Sequence, residues 1–156
     1  MDNLAFLKYF HAYKKLCELH KQSFGNSKGV NVPVLFSEEL CRMALALDHY
    51  DGKLYDAVKD DKYIEIKSTC FPNRTTTFSS YANPDLVYWV CVDVFQNEIR
   101  IYDITLHYQL KKIDASNQNS HNVRYTITFD KNILKSDPIA VIEFNETKMN
   151  IEIVID

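Results

Sequence analysis

The chain has 156 residues, 46% of them apolar, which suits one domain (1–156) with its own core, and nothing in it suggests two. Its formal charge of −3 excludes a surface coated in cations but not a local basic groove, because clustered carboxylates lower the average. The cysteines (17, 41, 70 and 91) form no C-x-x-C element and the five histidines no helical pair, so neither disulfide staples nor a zinc site is expected.

At the start, Met1-Asp2-Asn3-Leu4 reaches Lys8 before a long apolar run can form. A signal peptide and a membrane span are therefore not expected, and the chain reads as soluble and cytoplasmic. Residues 3–23 carry Leu4, Leu7, Phe10, Ala12, Leu16 and Leu19 at the helical period, with Lys8, Lys14, Lys15 and Lys21 between them. Two glycines in 23–32 end this helix. A second is expected in 33–48, N-capped by Ser37 with Glu38 and Glu39 in its first turn, and with Leu40, Met43, Ala44 and Leu47 as its buried stripe. At about 100° per residue, Glu39 falls beside that stripe and Glu38 away from it.

Asp51-Gly52 signals a turn. Leu54–Val58 and Tyr63–Thr69 then read as two strands joined by the polar Lys59-Asp60-Asp61-Lys62. Residues 68–81, rich in hydroxyls, keep no period and read as a loop. Residues 84–94 form a nearly continuous apolar run, as a central strand covered on both faces would, and 98–104 alternate as its hairpin partner across Gln96-Asn97. Residues 105–122 read as an open polar segment. Three further strands are expected at 124–129, 138–144 and 149–155. The whole is an α/β (α+β) architecture.

The alternation in Tyr63-Ile64-Glu65-Ile66-Lys67 puts Tyr63, Glu65 and Lys67 on one strand face and the isoleucines on the other. A hairpin would fold Asp56 back beside Glu65, gathering two carboxylates and one ammonium. Carboxylate oxygens suit Mg²⁺, and a neighbouring lysine can polarise or deprotonate a water for attack on a phosphodiester. Asp51 competes with Asp56, but has the turn to make. No P-loop, dinucleotide fingerprint or G-x-S-x-G is present.

Asp56, followed by Glu65-Ile66-Lys67, resembles the signature of the PD-(D/E)xK nuclease superfamily, to which most type II restriction endonucleases belong. Tyr55 stands where that signature has proline. The resemblance implies a mixed sheet flanked by helices, here with extra C-terminal strands, and a Mg²⁺-dependent, sequence-specific endonuclease acting on double-stranded DNA as a homodimer. It implies that Asp56, Glu65 and the Ile66 carbonyl hold the metal, that Lys67 activates the water, and that Glu39 assists from the helix, with Glu38 as the alternative. Ser68, Thr69 and Arg74 are expected to contact phosphates. Lys111, Lys112, Asn117, Gln118, Asn119, His121 and Arg124 have the inventory to read bases, although a polar loop explains them equally well. Two alternatives stay open: a structure-specific or repair nuclease of the same superfamily, and a non-enzymatic binding domain whose Glu65–Lys67 is a surface pair.

Overall fold

In the computed structural model of the chain the described residues are 2–25, 29–79, 82–116, 124–129, 133, 136–145, 147–148 and 150–155. Helix α1 spans Asn3–Phe24 and is N-capped by Asp2, whose Oδ1 accepts the Ala5 N–H at 2.6 Å. It ends at Gly25, where φ is 66°, a conformation that glycine adopts without strain. Its buried face is Phe6, Leu7, Phe10, Tyr13 and Cys17, while Leu4, Leu16 and Leu19 are exposed. Of the expected apolar positions Leu7 and Phe10 are buried, and the expectation is corrected for Leu4, Leu16 and Leu19. Aromatic rings fill the gap to the sheet instead, with Phe10 stacked on Phe144 at a centroid distance of 3.9 Å.

Helix α2 spans Val34–Leu45 and its N-cap position is Pro33, not Ser37. Ser37 lies inside the helix, donating its hydroxyl back to the Val34 carbonyl at 2.9 Å. Glu38 and Glu39 consequently sit beyond the first turn, where the pull of the helix dipole is weaker.

The strands are β1 (Asp48–His49), β2 (Ala57–Lys59), β3 (Lys62–Cys70), β4 (Thr75–Phe78), β5 (Leu86–Asp93), β6 (Glu98–Asp103), β7 (Tyr125–Thr128), β8 (Ala140–Asn145) and β9 (Asn150–Ile155). Seven form one sheet in the order β1-β2-β3-β5-β6-β8-β9, in which β3 and β5 run parallel and the other neighbours antiparallel. β5 has helices or strands over both faces, which explains its unbroken apolar sequence. Tyr88, Val90 and Val92 face the core under α1 and α2; Val87, Trp89 and Cys91 face a second core.

That second core is built from two segments that the sequence did not reveal. Residues 68–81 are not one loop: β3 continues to Cys70, and β4 then pairs with β7 in a separate two-stranded ribbon. The expected polar segment at 105–122 begins as helix α3, Thr105–Ser116. Asp103 Oδ1 accepts the Thr105 N–H at 2.9 Å, and buried Tyr108 anchors the helix against Phe78. The architecture is thus mixed α+β, with α1 and α2 on one face of the sheet and α3 with the ribbon on the other. Among the described residues no helix is long and apolar enough to cross a membrane.

Thr69 ties the two cores' central strands together. It is buried, and its Oγ1 accepts the Trp89 indole N–H at 2.9 Å. Trp89→Phe leaves that hydroxyl without its donor and should cost about 1–3 kcal/mol in urea unfolding. Adding Thr69→Val should recover part of the loss; a Thr69→Val that adds fully to it would show that the two side chains are not coupled.

Candidate active site

β2 and β3 form a tight hairpin because Asp60 and Asp61 both take positive φ, 49° and 61°, the backbone of a two-residue primed turn that aspartate tolerates. The pairs Lys59↔Lys62, Val58↔Tyr63 and Ala57↔Ile64 follow, and there the ladder stops. Asp56 N–H donates to the Ile64 carbonyl at 3.0 Å, and Asp56 Oδ2 accepts the Ile66 N–H at 2.7 Å. Alternation along β3 turns the Ile66 carbonyl to this same open edge, since Tyr63, an odd position, bonds on its other side to Asp85. The expected strand at 54–58 is reduced to Ala57–Lys59, and 50–56 is a loop between β1 and β2.

Three tyrosine rings close that loop. Tyr55, at the position before Asp56, stacks on Tyr63 at 4.7 Å and 13°, and Tyr50 meets both edge-on at 5.5 Å. Tyr63 is held in turn by Asp85, whose Oδ2 accepts the Tyr63 N–H and whose own N–H donates to the Tyr63 carbonyl, each at 2.8 Å. The Tyr50 ring lies over Gly52, where a methyl group would overlap it. Asp51, in contrast, is fully exposed beside His49.

Glu65 and Lys67 form an ion pair on the face toward the second core, with Lys67 Nζ 5.7 Å from the centre of the Phe78 ring. The lysine is partly open to solvent, not sealed in a dry core. Burial pushes the Glu65 carboxyl up; Lys67 pulls it down and the Asp56 charge raises it further.

The Bsp6I restriction endonuclease family model matches residues 2–132, from α1 through β7. The chain belongs to that family. Neither the curated proteins nor the solved structures yield a match. This restriction endonuclease is therefore a DNA phosphodiesterase, and its β8 and β9 lie after the matched residues.

The two helix carboxylates of the endonuclease are turned the opposite way from the helical projection. Glu39 is 42% exposed, its Oε1 2.6 Å from Arg42 Nη2, and it lines a surface hollow with Phe6, Met43, Leu47 and His49. Glu38 is 15% exposed and feels the charges of Asp56, Lys67 and Glu65. Two tethers rotate α2 into this orientation. Ser37 donates its hydroxyl to Ser68 Oγ at 2.9 Å, and Arg42 Nη1 donates to the Asp56 carbonyl at 2.6 Å. Neither tether is visible in a helical projection, which treats the helix without its neighbours.

The expected DNA contacts divide. Thr69 is buried, its hydroxyl accepting from Trp89, whereas Ser68 is half-buried and accepts the Ser37 hydroxyl. Arg74 lies over the Phe71 ring at 5.3 Å, Lys111 is exposed on α3, Lys112 donates to Asn83, and Arg124 is exposed before β7. Asn117, Gln118, Asn119 and His121 lie outside the described residues.

Burial, then the Asp56 charge, pushes the Glu38 carboxyl up to about 7, against the pull of Arg42 and Lys67 and with a further push from Glu65. In the unfolded chain it ionises near 4.5. The folded, metal-free protein thus holds this proton longer, so the stability it contributes is full below about pH 4.5 and is lost as pH rises to about 7. Because the half-buried group is partly screened by solvent, the resulting cost at pH 8 is on the order of 1–2 kcal/mol. Glu38→Gln should raise the metal-free unfolding midpoint at pH 8 and leave it unchanged at pH 4; a loss at pH 8 that disappears at pH 4 would show instead that the ionised carboxylate stabilises the fold.

Proposed function

We propose that this family member is a Mg²⁺-dependent type II restriction endonuclease that cuts double-stranded DNA at a specific sequence, residues 1–156 acting as one nuclease domain. Asp56, Glu65 and the Ile66 carbonyl hold the ion, Lys67 polarises the attacking water, and Glu38 takes the assisting place expected of Glu39. The observation that carries this reading is the convergence on one open strand edge: Asp56 is bonded to Ile66 between Glu65 and Lys67, and Glu38 approaches from α2.

The donor set has the chemistry of a hard dication. Glu38 and Glu65 are both held above the ordinary carboxylate range by burial and by the charge of Asp56, a strain that a cation relieves. Among the described residues no three Asp, Glu, His or Cys side chains stand close enough to chelate an ion together as they are oriented. Two of the carboxylates are occupied, Asp56 by the Ile66 N–H and Glu65 by Lys67.

Bound Mg²⁺ supplies Lewis-acid charge that offsets the negative charge gathering on the phosphate. Asp56 keeps its Oδ2 on the Ile66 N–H, which fixes the direction of its other oxygen. The Lys67 ammonium, accessible at the same edge, holds the water oriented toward phosphorus; as the water oxygen bonds to phosphorus its proton passes to solvent, the bridging P–O bond breaks, and the leaving oxygen takes a proton from solvent to become the alcohol. Cutting both strands requires two such centres, so a homodimer on a two-fold-symmetric site fits the task.

Asp56→Ala and Lys67→Ala should keep DNA affinity and lose roughly 10²–10⁴-fold in cleavage rate. The check is incubation with long, unmethylated DNA: the unaltered protein gives discrete bands with Mg²⁺ and none with EDTA. Undiminished cleavage by either variant defeats the assignment.

A further inference from the structure

The β4–β7 ribbon has one face fixed and one face open. Phe78, Ile127 and Phe129 fill the second core beside Trp89, Tyr102 and Tyr108. The alternate positions Thr75, Thr77, Thr126 and Thr128 are all exposed. Register places them as cross-strand pairs, Thr75 opposite Thr128 and Thr77 opposite Thr126, the latter with hydroxyls 3.4 Å apart. Thr is a common strand residue, so a threonine face alone would mean little.

Charge and position separate this ribbon from an ordinary one. Residues 74–79 and 124–129 contain two arginines and no carboxylate, in a chain with 21 acidic residues. Arg74 precedes β4 and Arg124 precedes β7, so antiparallel pairing sets them at opposite ends, roughly 15 Å apart by strand rise. The Arg74 guanidinium is steadied over the Phe71 ring. The ribbon also lies on the Lys67 side of the sheet, since Phe78 at the end of β4 is the ring beneath Lys67 Nζ.

We infer that the outer face of the β4–β7 ribbon is a DNA-contact surface, its four threonine hydroxyls donating to phosphate oxygens and base edges while Arg74 and Arg124 neutralise phosphates at its two ends. A two-stranded ribbon fits the major groove, and threonine offers both a hydroxyl and a methyl group to base edges there. The inference rests on the nuclease reading above and adds to it the element that holds the duplex.

The test is fluorescence anisotropy with a short mixed-sequence duplex in Ca²⁺ without Mg²⁺, beside thermal unfolding of each variant. Thr77→Glu and Thr126→Glu, each at an exposed position, should bind at least about tenfold more weakly, while Thr77→Lys binds as well as the unaltered protein. Arg74→Ala and Arg124→Ala should each reduce the slope of log affinity against log salt by about one. Folded glutamate variants that bind and cleave normally, while Lys67→Ala is dead, overturn the ribbon alone. Failure of the unaltered protein to bind any duplex, or full cleavage by Lys67→Ala, overturns the nuclease reading together with it.

Discussion

A carboxylate takes over where a strand runs out. β2 covers three residues and β3 nine, so β3 would leave its outer edge unpaired from Ile66 onward. Asp56 meets the first of these orphan groups with its side chain, accepting the Ile66 N–H that a longer β2 would have taken. The side chain proposed as a metal ligand is therefore also the end of the sheet. Its direction is set by the same backbone bond that keeps a part-buried amide satisfied, and the preceding Tyr55 is locked by stacking on the anchored Tyr63. Proline would have fixed the main chain at that position through its own ring; here two stacked rings hold it from outside.

Arg42 does the corresponding work from the helix. It is buried, donates to the Asp56 carbonyl, and stands 3.9 Å from Glu38 and 2.6 Å from Glu39. Lys59 reaches the other way, donating to the Leu45 carbonyl at the end of α2 at 2.9 Å. Helix and hairpin are thus joined by two opposed charge-assisted bonds. Burial first, and the Asp56 charge after it, place Glu38 and Glu65 above their ordinary range, because Arg42 and Lys67 offset only part of the cost. Holding two desolvated carboxylates in this way costs the fold stability, a trade common at catalytic centres.

The site was readable from the sequence wherever it depended on strand period and turn chemistry. Alternation separated Glu65 and Lys67 from Ile64 and Ile66, and Asp60-Asp61 could only turn back on itself, so the return of Asp56 to β3 followed. Readability failed where neighbours decide. α1 offers more than one set of apolar positions at helical spacing, and the choice of Phe6, Tyr13 and Cys17 over Leu4, Leu16 and Leu19 rests on what the sheet has room for. α2 starts three residues before its apparent cap, because Ser37 bonds backward and across to Ser68. α3 was hidden by its polar composition, since Tyr108 alone forms its deeply buried anchor among the described side chains.

These errors share a direction: each concerned an element whose position is set by the sheet, not by its own sequence. The consequence reaches function through Glu38. Projected from α2 alone, Glu39 points inward; once Ser68 and the Asp56 carbonyl pull on Ser37 and Arg42, the helix turns and Glu38 faces the strand edge. The face of a helix that serves a site is chosen by its tethers when these are buried and its apolar stripe is broad. In this restriction endonuclease both tethers run to the same hairpin that carries Asp56, Glu65 and Lys67. The helix carboxylate and the strand carboxylates are therefore positioned by one unit, and a shift of α2 cannot occur without disturbing the main chain at Asp56.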